Sequence, residues 1–244
     1  ADQPSPECVR CREQEAAGFS SMRNNMNKNF GHYINLVDNT LEDGTVPDMV
    51  LYYWDVRFSN ICNLKCRSCG GIFSSRWYDD DVRLNWNKPL RPRVMFAGRT
   101  EEDIWTQMEP HIEHMEQIYF AGGEPLIMEE HTRILQKLIA TGNTGVRLIY
   151  NTNLTELRYK KQSVLDLWRH FKSVCVAASL DESHDRAAVI RSGTDWAAVE
   201  QNIRDLKAQC PHIDFMISPT LSVMNIWRFV EFHRYMVEIG RAHV

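Results

Sequence analysis

Five short apolar runs, each followed by a polar turn and a helical stretch, constrain this chain more than any other feature. They fall at residues 51–58, 117–120, 146–150, 174–178 and 214–217 and are rich in β-branched, Tyr and Phe side chains. That is the composition of strands buried in a parallel sheet. Between them, apolar residues take helical spacing. Ile134, Leu135, Leu138 and Ile139 share one face, and Trp196, Val199, Ile203 and Leu206 form an amphipathic stretch behind Gly193-Thr194. Ile226, Phe229, Val230 and Tyr235 predict a last helix. Strand–helix repeats of roughly 30 residues mean βα units and a parallel sheet. The pattern predicts an α/β fold, a partial or full barrel rather than a sandwich. Only the interval between the first two strands is long, leaving room for an insertion rich in Trp, Asp and Arg.

Composition narrows the function classes. The 244 residues carry a formal net charge of −4, with 43% hydrophobic and 25% charged side chains, ordinary values for a globular domain. They exclude a disordered tail, a collagen-like rod and a basic nucleic-acid-coating protein. No apolar run approaches the ~18 residues of a membrane span. The start of the chain carries no visible signal peptide. The seven cysteines are unevenly placed: Cys62, Cys66 and Cys69 cluster, Cys8 and Cys11 form an early pair, and Cys175 and Cys210 stand alone. Secreted disulfide scaffolds are shorter and denser in cysteine. Clustered thiols without an export signal read as metal or cofactor ligands in a reducing compartment, so the expected location is cytoplasmic. Residues 1–45 are polar and Asn-rich and are expected to form a short irregular accessory segment, with the barrel over residues 46–238.

In α/β barrels the chemistry collects on loops after the carboxyl ends of strands. Here those loops read, in order, Cys62-Asn63-Leu64-Lys65-Cys66-Arg67-Ser68-Cys69, then Gly122-Gly123-Glu124-Pro125, Asn151-Thr152-Asn153, Ser179-Leu180-Asp181 and Ser218-Pro219-Thr220. Three thiolates spaced C-x3-C-x2-C can hold three corners of an iron–sulfur cube and leave the fourth iron open to an exogenous molecule. Thiolates also suit zinc, but a structural zinc site requires a fourth Cys or His, and the loop supplies none. Glycines let a backbone approach a ligand closely, and Glu124 offers an acceptor for an ammonium. No P-loop or H-E-x-x-H spacing is present, and sequence alone indicates no nucleophile–base arrangement. Trp77 and Trp86 in the insertion are expected to pack it onto the barrel rather than cover a pocket.

The cysteine loop followed one βα unit later by Gly122-Gly123-Glu124-Pro125 resembles the radical S-adenosylmethionine (SAM) superfamily, from Asp55 to Phe229. The resemblance implies that Cys62, Cys66 and Cys69 hold a 4Fe-4S cluster whose open iron is chelated by SAM. It also implies that Gly122, Gly123 and Glu124 meet the methionine amino group of SAM. Asn153 falls in a stretch similar to the family's Thr-Asn-Gly after the third strand. Ser179 and Asp181 stand where the family contacts the ribose or carboxylate of SAM, with Arg191 as a carboxylate partner. Many members have an aromatic residue before the third cysteine, where this chain has Ser68. The implied activity is reductive cleavage of SAM to a 5′-deoxyadenosyl radical that abstracts hydrogen from a substrate. The implied partners are SAM, a substrate such as a peptide, and an electron donor such as flavodoxin or ferredoxin. The alternatives are a zinc- or cluster-stabilised binding module without turnover, or the same chemistry on a sugar, nucleotide or lipid precursor.

Cys8 and Cys11, with Glu15, Gly18, Ser21 and Arg23 behind them, resemble the segment before the barrel in members that carry a SPASM or twitch auxiliary-cluster domain. That resemblance implies a second iron–sulfur cluster, for which two thiols are too few; a zinc or redox pair and no metal role at all are the other readings. At the other end, Ile239-Gly240-Arg241-Ala242-His243-Val244 matches the translated opening of a common sequencing adapter. Native sequence is therefore expected to stop near Val237 or Glu238, leaving residues 239–244 as a non-native tail. The amino end, without an initiator Met, is expected to be truncated too, and the lost carboxyl part to hold a sixth βα unit.

Overall fold

The computed structural model describes residues 5–47, 49–85, 89 and 91–240 and divides into two compact units, Ala1–Val50 and Leu51–Val244. In the first, a 3-10 turn at Pro6–Cys8 leads into α1 (Val9–Ala16), followed by α2 (Met22–Phe30) and a 3-10 stretch, Gly31–Asn39. The segment expected to be irregular is therefore helical, because local caps outweigh the weak propensity of its asparagines. Gly18, at φ 79°, follows the end of α1. Ser21 caps α2 by accepting the Asn24 N–H at 3.1 Å. Its hydroxyl donates to Glu15, which also pairs with Arg23.

The second unit runs β1 (Tyr53–Val56), β2 (Lys65–Cys66), α3 (Tyr78–Leu84), α4 (Glu101–Met108), β3 (Gln117–Phe120), α5 (Glu129–Thr141), β4 (Arg147–Thr152), β5 (Arg158–Tyr159), β6 (Gln162–Ser163), α6 (Val164–Trp168), β7 (Ser173–Ala178), α7 (His184–Ile190), β8 (Arg191–Ser192), α8 (Trp196–Gln209), β9 (Asp214–Ile217) and α9 (Phe229–Gly240). Its main sheet has the order β1-β3-β4-β7-β9, and every pair in it is parallel. This is the partial α/β barrel that the spacing predicts. Among the described residues, no helix is long and apolar enough to cross a membrane.

The sheet sorts its side chains by period two. Ile118, Phe120, Leu148, Tyr150 and Val176 are fully buried and join Ile134, Leu135 and Leu138 of α5 and Val199, Ile203 and Leu206 of α8 in one core. Each such side chain contributes about 1.5–3 kcal/mol when buried. On the opposite face Asp55 and Asn151 are exposed and Tyr119 is half-buried. The first strand is shorter than residues 51–58 because apolar character outlasts the ladder: Phe58 is buried, yet its carbonyl accepts from Ala97 N at 2.8 Å. The last helix forms, but it buries Phe232 and Met236 and leaves Val230 60% exposed. A 3-10 turn at Ile226–Arg228 precedes it, and Ile226, like Val230, is exposed. The helix continues through Ile239 to Gly240; the remainder of the expected tail, residues 241–244, lies outside the described residues.

The core holds a buried imidazole. His131 is fully buried against the rings of Phe120 and Tyr150. Its Nε2 lies 3.0 Å from the Tyr150 hydroxyl, and its Nδ1 has no partner among the described residues. Burial pushes its pKa down to about 3. Above the ordinary imidazole pKa the folded and unfolded states bind the same number of protons. Below it the unfolded state binds one more, so stability falls as pH drops from about 6.5 toward 3, by at most ~1.4 kcal/mol per pH unit. The urea midpoint is expected to fall between pH 6.5 and pH 5, and less steeply in His131→Gln. Equal slopes in the two proteins would contradict this assignment.

Candidate active site

The cysteine loop leaves β1 and is fixed on several sides. Asn60, buried, donates from Nδ2 to the carbonyls of Gly71 at 2.9 Å and Arg93 at 3.2 Å. Its Oδ1 accepts from Met95 N at 2.9 Å. The Ser74 hydroxyl donates to the carbonyl of buried Leu64 at 2.7 Å. Trp77 donates its indole N–H to the Cys66 carbonyl at 3.1 Å, and the Lys65 ammonium lies 5.3 Å from its ring centroid. Trp77 thus packs the insertion onto the loop; Trp86 lies outside the described residues. β2 and β8 pair antiparallel, placing Cys66 opposite Arg191.

The Gly122-Gly123 turn rests on this loop. Gly123 N donates to Ser59 O at 3.1 Å and Glu124 N to Ile61 O at 2.8 Å. Gly122 takes φ 107°, and a Cβ on Gly123 would overlap the Ile61 carbonyl. Glu124 is 1% exposed. Its Oε1 accepts from Leu126 N at 3.1 Å and from the Thr152 hydroxyl at 2.7 Å, while Oε2 accepts from Asn153 N at 2.7 Å. Burial pushes its carboxyl up to about 7, against the pull of these three donors toward the carboxylate. Asn153 donates to Asn63 Oδ1 at 2.8 Å, bracing the end of β4 against the cysteine loop. The next residue, Leu154, is fully buried at φ 55°, a conformation that costs of order 1–3 kcal/mol for a non-glycine.

Cys62, Cys66 and Cys69 line one cavity of about 210 Å³ together with Gly122, Gly123 and Glu124, and Asn153, Ser179 and Arg191 reach the same cavity. Asp181 is 2% exposed and does not line it. Its carboxylate accepts from Arg191 Nε at 2.8 Å and Nη2 at 2.9 Å and from Thr220 N at 2.8 Å. In the first unit, Cys8 and Cys11 stand one helical turn apart at the start of α1, both half-exposed. Sequence reasoning missed Arg57 and gave Asn151 only as part of a motif, yet both line the cavity. The available signal for Arg57 is a charged side chain inside the apolar run at residues 51–58.

Three thiols on one cavity wall are a donor set of the kind that holds an iron–sulfur cluster. Among the described residues, no group of three or more His, Cys, Asp or Glu forms a site for one metal ion. The three thiols line the wall of the cavity. Burial pushes the Cys62 thiol up to about 11 and raises Cys66 and Cys69 as well, with the Arg191 guanidinium opposing the shift at Cys66. Iron ligation requires thiolates, so loading such a site would release protons.

Comparison with known proteins identifies the class. The Radical SAM superfamily profile matches residues 56–233, and the chain belongs to that superfamily. Membership implies SAM and a 4Fe-4S cluster. The chain is similar to the solved structure of Streptococcus suis SuiB bound to S-adenosylmethionine, at 14% identity and a TM-score of 0.47, over 87% of this chain and 41% of that one. It is also similar to TYW1 with a lysine-pyruvate adduct bound, at 14% identity and a TM-score of 0.38, over 82% of this chain and 68% of that one. No curated protein matches the chain.

The contact between turn and loop carries a prediction independent of any ligand. Gly123→Ala should destabilise the protein by about 1–3 kcal/mol, as overpacking does. Gly145→Ala, with nothing within 4 Å of its added methyl, should stay within about 0.5 kcal/mol of wild type. Chemical denaturation of both variants checks this, and equal midpoints would contradict it.

Proposed function

We propose that Cys62, Cys66 and Cys69 hold a 4Fe-4S cluster and that Gly122, Gly123 and Glu124 form the cradle for the methionine end of SAM. The observation that carries this reading is the convergence of the three thiols and the Gly-Gly-Glu turn on one cavity. When bound, the cluster and SAM supply reductive carbon–sulfur cleavage and a 5′-deoxyadenosyl radical able to abstract hydrogen from a substrate. The chain's own residues bind, orient and shield. The glycines bring backbone carbonyls close to a ligand. Glu124 sets the turn against the end of β4 and contributes negative charge facing an ammonium. Asn153 and Ser179 offer polar contacts to the rest of SAM.

In this reading, residues 1–45 are an accessory segment of the SPASM or twitch kind, with Cys8 and Cys11 as two ligands of an auxiliary cluster. The support is their shared helical face and their place beside Glu15, Gly18, Ser21 and Arg23. A peptide is the substrate class that goes with such a segment. The polar face of the sheet, with Asp55 and Asn151 exposed and Tyr119 half-buried, can hydrogen-bond a peptide backbone. A flavodoxin or ferredoxin would supply the electron, in the cytoplasm. Residues 46–238 form the catalytic barrel.

Each of Cys62→Ala, Cys66→Ala and Cys69→Ala should abolish 5′-deoxyadenosine formation and most of the cluster absorbance after anaerobic reconstitution. Retained reductive cleavage in any one of them would sink the assignment. Glu124→Gln should weaken SAM binding by about 1.5–3 kcal/mol, or one to two decades, the scale of a charge-assisted hydrogen bond. An unchanged SAM titration would reduce Gly122-Gly123-Glu124 to a structural turn.

A further inference from the structure

Arg191 offers its guanidinium to two partners at once. Nε and Nη2 donate in parallel to the two oxygens of Asp181, whose side chain is 1% exposed, against 12% for Arg191. Such a bidentate pair fixes the plane of the guanidinium. Asp181 is itself held: Thr220 N donates to its Oδ1, and Asn225 Nδ2 donates to its backbone carbonyl at 3.0 Å. The remaining nitrogen, Nη1, lies 3.5 Å from Cys66 Sγ and donates to it. The backbone repeats the connection, since Arg191 and Cys66 are register partners across β8 and β2, and Arg67 N donates to Ile190 O at 2.8 Å. Asp181, read from sequence as a SAM contact, is thus occupied in orienting Arg191, and Arg191 is aimed at a thiol of the cysteine loop.

We propose that Arg191 tunes the reduction potential of the cluster through its hydrogen bond to the Cys66 thiolate, independently of SAM. The proposal rests on the cluster reading above. A cationic donor on a cluster thiolate stabilises the reduced, more negative state and raises the potential, and hydrogen bonds to cluster sulfurs are among the main determinants of that potential. The other option for this guanidinium, a salt bridge to the carboxylate of SAM, would act only when SAM is present. The two roles can therefore be separated.

The test uses the full chain, reconstituted anaerobically with iron and sulfide, as wild type, Arg191→Gln and Arg191→Lys. Iron and sulfide content is measured first, then the midpoint potential by EPR-monitored titration without SAM. The expected result is wild-type loading in both variants and a fall of about 59 mV in Arg191→Gln, a tenfold change in the one-electron reduction equilibrium. Arg191→Lys, which keeps a cationic donor, should recover most of that shift. An unmoved potential in fully loaded Arg191→Gln would overturn the proposal, as would a shift that appears only after SAM is added. Loss of cluster from both variants would make Arg191 an assembly residue and overturn it equally. Wild-type protein that takes up no iron would instead refute the cluster reading itself, and the iron assay shows that separately.

Discussion

The buried carboxylate of Glu124 is the contact on which the site depends. It draws a donor from its own turn, Leu126 N, and two from the end of β4, Thr152 and Asn153, while its backbone N–H is spent on Ile61 of the cysteine loop. Three strand-end loops are thereby joined at one nearly inaccessible residue. A buried carboxylate that lost these donors would carry a desolvation cost of several kcal/mol, so the loops cannot separate cheaply. The cavity behind the three thiols is held by the fold itself, the condition for a site that must position reactive groups to within a fraction of an ångström.

The same economy appears on the far side of the cavity. Arg191 is fixed by Asp181, Asp181 by Thr220 and Asn225, and the short β2–β8 pair ties this network to Cys66. Leu154, a non-glycine residue with positive φ, stands just after the end of β4. Local strain is tolerated where the surrounding packing and hydrogen bonds over-determine the backbone, and here the strained residue directly follows Asn153, which lines the cavity. The packed face of the sheet supplies that rigidity, and its exposed face leaves polar side chains next to the cavity.

The strands were legible because burial imposes a simple pattern. Residues 117–120 and 214–217 form strands with those same ends, since their apolar character stops where the ladder does. Cys62, Cys66, Cys69 and the Gly-Gly-Glu turn were legible as motifs because their chemistry is local in sequence. What escaped was everything set by distant partners. Nothing in Asp181 or Arg191 alone announces a bidentate pair, and the two-residue β2 and β8 carry no periodicity. Val230 fits a helical face in sequence, but α9 packs through Phe232 and Met236 and leaves Val230 in solvent. The helices at the amino end rest on Ser21 and the Glu15–Arg23 pair, local features that outweigh an Asn-rich composition.

The central claim is that the three thiols hold a cluster with one iron left open toward the Gly122-Gly123-Glu124 turn. EPR of the reduced, reconstituted protein before and after adding SAM tests it most directly. The account predicts that saturating SAM changes the g-values of the cluster signal, because a ligand has reached its open iron. Superimposable spectra with and without SAM, from protein shown to contain the cluster, would contradict it.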